Sequence, residues 1–322
     1  MKKVRVGVIG VGQMGKHHAR VYSEIPHAKL VGVVDVREDV VKNVARMYNT
    51  EAYTDYLKLL DAGVDAVSIA VPTSLHKDVA IDVAEYGVDM LIEKPIADNI
   101  LNAKKILKAA KKSGVKIMVG HIERFNPAVL KLKEVISSGL LGDILSMSGK
   151  RVGPYSPRVR DVGVIVDLAV HEIDTMSYLY DDRAISVYAV AGRSGMCSHS
   201  FEDYASIVLR FTNSRVGIIE TNWLTSRKIR TLTVVGTRGV ATIDYIDKTL
   251  TICKNGDVYS VDVEKREPLK NELETFLRYV MYDEEPKPSG EDGLYVLSVA
   301  ISAINSWKGE TVIKLKEVML KH

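Results

Sequence analysis

Glutamine occurs once in these 322 residues, at position 13, and there are only two cysteines, two tryptophans and four phenylalanines. Cys197 and Cys253 stand far apart with no C-x-x-C spacing, which excludes a disulfide framework or a cysteine metal knuckle and fits reduced thiols in a cytoplasmic protein. No run of about 18 uncharged apolar residues exists, so no membrane-spanning helix is expected. Met1-Lys2-Lys3 leads straight into a strand-like segment, without the apolar region and cleavage site of a signal peptide. Net charge is only +3, too small to argue for nucleic acid, and acids alternate with bases as on a solvated surface, so neither nucleic acid nor a membrane is expected as a partner. Scarce glutamine beside abundant lysine and glutamate is the composition of heat-adapted proteins.

What is present is an ordinary globular composition, 46% hydrophobic and 26% charged, in a chain long enough for two cores. Up to residue 120, short apolar runs (4–9, 29–34, 66–71, 89–92, 116–119) alternate with helical patterns (14–23, 40–48, 77–86, 101–113). Near-continuous apolar runs separated by helices indicate a parallel sheet built from βαβ units. Beyond residue 120 the texture changes. Helical patterns at 127–137 and 167–180 flank a Gly/Pro-rich loop, and seven alternating runs between 184 and 263 read as an antiparallel sheet. Helical stretches at 269–281 and 293–307 close the chain. The expected fold class is α/β: a doubly wound parallel domain over 1–120, then an α+β domain with a large, mainly antiparallel sheet over 121–322.

Gly10, Gly12 and Gly15 complete a G-x-G-x-x-G pattern, with Gln13 and Met14 inside it, between a predicted strand and a predicted helix. In that setting the first glycine makes a tight turn, the second admits a pyrophosphate, and the third packs helix on strand, the Rossmann fingerprint. The diphosphate sits on the helix N-terminus, where N–H groups lack partners. Asp35, 20 residues after Gly15, accepts hydrogen bonds from the ribose diol and favours NAD over NADP, while Arg37 softens that preference.

Glu93-Lys94-Pro95 ends another predicted strand, on the crevice side of the sheet, which places Lys94 beside the nicotinamide half. Asp167, His171 and Asp174 follow helical spacing and project together, with Leu168, Ile173, Met176 and Leu179 opposite. Carboxylates beside an imidazole orient it and stabilise its charged form, as a general base requires. The same three residues could ligate a cation, but no second cluster lies near them in sequence, and no metal is expected.

Gly10 to Gly15, Pro72-Thr73-Ser74-Leu75-His76, Glu93-Lys94-Pro95, and Asp167 with His171 together resemble the signature of the Gfo/Idh/MocA oxidoreductases, across essentially the whole chain. The resemblance implies a Rossmann domain, a second domain whose open sheet face mediates homodimers or homotetramers, and NAD-dependent oxidation of a secondary hydroxyl of a sugar or polyol. It places Pro72, Thr73, His76 and Glu93 along the cofactor. Lys94 would polarise the reacting hydroxyl and His171 take its proton with help from Asp167, as hydride leaves for the nicotinamide. Members also include NAD-dependent glycosidases, which oxidise transiently and retain the cofactor; a non-catalytic NAD-binding sensor would lack Lys94 or His171.

The segment 120–127, containing Arg124 and Asn126, is similar to that of members oxidising C3 of UDP-linked N-acetyl sugars. The loop read at 150–160 carries Lys150, Arg151, Arg158 and Arg160 and no acid, and arginine grips a diphosphate bidentately. Arg124, Asn126, Lys150, Arg151, Tyr155, Arg158 and Asp174 are therefore the expected substrate contacts, and a nucleotide sugar is favoured over a free polyol such as inositol.

Overall fold

A computed structural model of the chain describes residues 3–155, 162–195 and 200–315. It contains two compact units, one running to Ile122 and joined by Glu267–Leu294, the other made of Glu123–Arg266 and the chain from Tyr295 onward.

The first unit opens with β1 (Val4–Ile9), α1 (Gln13–Glu24), β2 (Ala28–Val34), α2 (Glu38–Tyr48), β3 (Glu51–Tyr53), α3 (Tyr56–Asp61) and β4 (Ala66–Ile69). It continues through α4 (His76–Glu85), β5 (Asp89–Glu93), α5 (Ile100–Ser113) and β6 (Ile117–Gly120). All six strands are parallel, in the order β3-β2-β1-β4-β5-β6. The order reverses between β1 and β4, so the carboxyl ends of these strands open the crevice where such sheets take ligands. The central strands are buried on both faces, Val6, Val8, Ile69, Met90 and Ile92 among them, which explains their unbroken apolar runs. Asn99 caps α5 by accepting from Asn102 N, and Gly114, at φ +69°, ends it in the left-handed region.

The second unit contains α6 (Pro127–Ser137), β7 (Ile144–Pro154), α7 (Val170–Tyr180), β8 (Ser186–Gly192), β9 (Tyr204–Arg210), β10 (Val216–Asn222), β11 (Leu224–Gly236), β12 (Gly239–Asp244), β13 (Thr249–Lys254) and β14 (Asp257–Val261). After α8 (Pro268–Tyr282) and α9 (Gly290–Gly309), β15 (Ile313–Lys314) completes a nine-stranded sheet ordered β14-β13-β12-β11-β7-β10-β9-β8-β15. Only the β7–β10 pair is parallel. One face is buried through Met147, Ile207, Leu209, Ile219, Leu232 and Val234, in one core with Ile173, Met176 and Leu179 of α7.

Two sequence expectations change. The segment read as a loop from residue 150 is strand as far as Pro154, held between β10 and β11. Serine and glycine at 146, 148, 149 and 153 depress strand propensity there, and pairing on both sides overrides it. The division at residue 120 put α8 in the second domain. Instead α8 lies against α1 and β1, with Leu269, Leu273, Phe276 and Leu277 buried, so residues 267–294 return to the first unit. An apolar helical stripe specifies that a face is covered but not by which sheet.

A buried charge cluster fixes α7 on the sheet. Arg151 of β7 is 1% exposed and donates to Glu172 Oε1 of α7 at 2.7 Å and to Glu123 Oε1 at 3.0 Å. Tyr245 donates to Glu172 Oε2 at 2.7 Å and lies under the Arg151 guanidinium. Asn126 donates to Glu123 and to Tyr245 O while its own carbonyl caps α6. Gly149 makes room for this approach, since a Cβ there would lie 3.0 Å from Glu172 Oε2. Burial pushes the Glu172 carboxyl above its ordinary range, with Arg151 and Tyr245 opposing. Burial also opposes the Arg151 charge, but Glu123 and Glu172 outweigh it and hold the guanidinium above its usual value.

Candidate active site

β1 runs into Gly10, whose φ of +88° and contact with Ala70 (2.8 Å from any Cβ) admit only glycine. At Gly15 a Cβ would lie 1.8 Å from Gly10 O, so α1 packs onto the turn only without one. A Cβ on Gly12 would meet nothing within 4 Å. Gly12 is also the N-cap of α1 and supplies no side-chain cap, leaving the first N–H groups of the helix for an anion. An open approach at the second glycine and an uncapped helix start fit a dinucleotide diphosphate.

Asp35 follows β2 and is 8% exposed. Arg37 donates to Oδ1 at 2.9 Å and to Oδ2 at 3.0 Å, and its backbone N–H adds a third bond to Oδ1. Burial opposes ionisation, but these bonds and the Arg37 charge hold Asp35 below its ordinary value. The carboxylate therefore stands charged at the end of β2, with Arg37 taking both acceptor positions of Oδ1 and one of Oδ2. Arg37 remains largely exposed beside it.

Glu93 and Lys94 close β5. The sequence assigned Glu93 to the cofactor; its carboxylate is instead held inside the first unit. Oε1 meets His18 Nε2 at 2.9 Å and Oε2 accepts from Lys94 N at 3.2 Å. His18 Nδ1 lies 3.0 Å from Ser68 Oγ, which Tyr22 joins at 2.8 Å. Burial works against the Glu93 charge, yet His18 and Lys94 prevail and its carboxyl lies below the usual range. His18 was not singled out in the sequence, although its place on the buried side of α1, three residues after Gly15, was a usable signal.

His76 is also reassigned. It is 1% exposed, with Nδ1 3.0 Å from Pro95 O and Nε2 3.0 Å from Val71 O. Both ring nitrogens face backbone carbonyls, one in the turn after β4 and one in the turn after β5, and a neutral ring donates its single N–H to one of them. Burial favours its neutral form. Pro72 and Thr73 lead into a 3-10 turn, Thr73–Leu75, on the carboxyl side of β4.

In the second unit, Asp167 sits in a π-helical turn, Ile165–Ala169, that runs into α7 and His171. Such turns are rare and frequent at functional sites. Asp167 and His171 are both partly exposed, whereas the rest of α7 is buried nearly all round. Asp174, expected beside His171 and on the substrate, is 1% exposed and receives Arg124 Nε at 3.0 and 2.8 Å and a terminal nitrogen at 2.7 Å. Two expected substrate contacts are thus bound to each other.

The basic segment divides by strand period. Arg151 is consumed by the buried cluster, and Asn126 serves that cluster and the α6 cap. Lys150 points to the other face and pairs with Glu220 at 3.0 Å, across from it on β10. Tyr155 packs on Trp223 with ring centroids 5.5 Å apart. Arg158 lies outside the described residues. Among the described residues no group of three His, Cys, Asp or Glu is placed to hold a metal ion, and no helix is long and apolar enough to cross a membrane.

Residues 4–121 match the Gfo/Idh/MocA oxidoreductase family with its NAD-binding Rossmann fold, and residues 129–242 match the Gfo/Idh/MocA C-terminal domain. The UDP-N-acetylglucosamine 3-dehydrogenase of Acidithiobacillus ferrooxidans is 30% identical over 94% of this chain and 96% of its own. Its solved structure superposes with a TM-score of 0.88 over 96% of this chain and 99% of its own, at 29% identity. The myo-inositol 2-dehydrogenase of Thermotoga maritima is 28% identical over 98% of this chain and all of its own.

The Glu93 assignment predicts a pH signature. Because its folded pKa is depressed, its contribution to stability is present above the unfolded glutamate value of about 4.3 and is lost as pH falls through the lower folded value. Glu93→Gln should cost about 1.5–3 kcal/mol near neutral pH in denaturant unfolding, and the gap should close on acidification. A gap independent of pH would show that the Glu93 charge is not what holds the turn.

Proposed function

Because the chain belongs to the Gfo/Idh/MocA family of NAD-dependent oxidoreductases, we propose that it oxidises a secondary hydroxyl of a sugar, at C3 of a UDP-linked N-acetyl sugar. The observation that carries this reading is the Lys94 turn. It follows the carboxyl end of β5, with β4 between it and the strand that carries the dinucleotide turn, and its backbone is held by Glu93, which His18 fixes in turn. Bound NAD supplies the hydride acceptor. The Lys94 ammonium holds the hydroxyl oxygen and stabilises negative charge as it develops. His171 takes the hydroxyl proton, and Asp167 favours the imidazolium that results. Support for the nucleotide sugar comes from the 3-dehydrogenase of A. ferrooxidans, similar over nearly the full length of both chains.

A free polyol is the second reading. It is favoured by the comparable similarity to the inositol dehydrogenase, and because Arg151 and Lys150, two cations expected to grip phosphate, are engaged elsewhere. Purified protein with NAD should form NADH from UDP-N-acetylglucosamine or its uronic acid, and Lys94→Ala and His171→Ala should each lower the rate about 100-fold or more. NADH formed only from myo-inositol or glucose would move the substrate to the second reading. No turnover with tightly retained NAD would favour a glycosidase or sensor.

A homodimer or homotetramer built on the open sheet face belongs to the same proposal. Tyr188, Val208 and Ile218 lie in one row across β8, β9 and β10, 40–44% exposed, with Val190 beside them at 55%. A solvated antiparallel face is ordinarily polar, and an apolar patch of this kind marks an interface. Light scattering should find an oligomer that Ile218→Lys dissociates; a monomeric parent protein would reject the assignment.

A further inference from the structure

Arg230 of β11 is paired in register with Arg151 of β7. Residues directly opposite in an antiparallel pair project from the same face, here the face on which Leu232 and Val234 are fully buried and α7 is packed. The two arginines differ in what they hold. Arg151 is enclosed by Glu123 and Glu172, whose remaining oxygens are taken by Asn126 and Tyr245. Arg230 is half-buried, and among the described residues its guanidinium has no hydrogen bond or ion pair. Burial and the like charge of Arg151 weigh against it, while Glu123, Glu172 and Asp167 support it from beyond contact distance. An arginine cannot escape that position by losing its proton. It therefore presents a partly desolvated cation with a planar fork of donors, within the electrostatic reach of Asp167. Just before it, where the β11–β7 register slips between Leu224 and Ile229, Arg227 and Lys228 are exposed and add positive charge.

We propose that Arg230 is the residue that binds an anionic group of the substrate, a carboxylate or a phosphate, on the sheet face that carries Asp167 and His171. The proposal rests on the reading of this chain as a sugar dehydrogenase and deepens it: Arg230 takes the role that the sequence gave to Lys150 and Arg151. A guanidinium matches either anion bidentately, so a sugar acid and a sugar diphosphate share the chemistry, and the ligands of the test separate them.

The test is calorimetric binding to protein loaded with NADH, using UDP-N-acetylglucosamine for phosphate, glucuronate for carboxylate and myo-inositol as the neutral control. Wild type, Arg230→Gln and Arg230→Lys are compared, with thermal midpoints recorded for each. Arg230→Gln should weaken the anionic ligand roughly 10- to 100-fold, the range of charge-assisted hydrogen bonds. Arg230→Lys should recover part of the loss, and the thermal midpoint should stay unchanged. Loss confined to glucuronate assigns the carboxylate, and loss confined to the UDP-sugar assigns the phosphate. Anions that bind Arg230→Gln as tightly as wild type, or that fail to bind wild type, overturn the proposal. So does a drop in thermal midpoint with affinity preserved, which would make Arg230 a counter-charge to Glu123 and Glu172. Failure of the sugar reading is seen separately, as absence of NADH formation from every sugar while the anion effect persists.

Discussion

Taking the guanidinium of Arg151 out of water costs several kcal/mol, and the second unit is arranged so that this cost is offset. Two carboxylates arrive from different parts of the chain, Glu172 from α7 and Glu123 from the segment before α6, and Tyr245 and Asn126 satisfy the oxygens that Arg151 does not. An unpaired buried charge is far costlier than a pair, so α7 has little freedom to slide along the sheet. The helix that is pinned there is the one bearing His171, and its π-helical entrance bears Asp167. The chemistry proposed for His171 and Asp167 therefore depends on an ion cluster that itself faces away from solvent.

The first unit uses the same device on a smaller scale. Lys94 follows Glu93, and Glu93 is fixed by His18 through a buried chain that continues to Ser68 and Tyr22. His18 stands on α1, the helix whose N-terminus is open for a diphosphate. The cofactor helix and the lysine turn are thus fastened to one another by polar contacts behind the reacting face. His76 fills the space between the turns after β4 and β5, its ring nitrogens against a carbonyl of each. In both units the residues proposed for chemistry are partly exposed, and the carboxylates next to Lys94 and His171 in sequence, Glu93 and Glu172, are engaged by other groups of the protein.

Much of this was legible in the sequence because period and glycine placement are local. The parallel sheet followed from unbroken apolar runs, and the dinucleotide turn from Gly10, Gly12 and Gly15 placed between strand and helix. Lys94, Asp167 and His171 were proposed from their positions relative to those elements. Burial of charge was not legible, because it depends on partners distant in the chain: Arg124 with Asp174, 50 residues on, and Arg151 with Glu172, 21 residues on. Reading 150–160 as a loop hid the decisive fact that neighbours on a strand face opposite ways, sending Lys150 to Glu220 and Arg151 into the core. Arg230 was passed over as an ordinary strand residue, since its sequence does not show that its cross-strand neighbour is already neutralised. α8 carried a clear apolar stripe, but which sheet it covers is a tertiary fact.

Arg151 holds the helix of His171 and does not touch substrate. Arg151→Met, close in volume and without charge, tests it when denaturant unfolding and steady-state kinetics are measured on the same preparation. The substitution should cost about 3–5 kcal/mol of stability, with substrate KM unchanged in the protein that remains folded. Unchanged stability together with a raised KM would contradict that role and return Arg151 to the substrate.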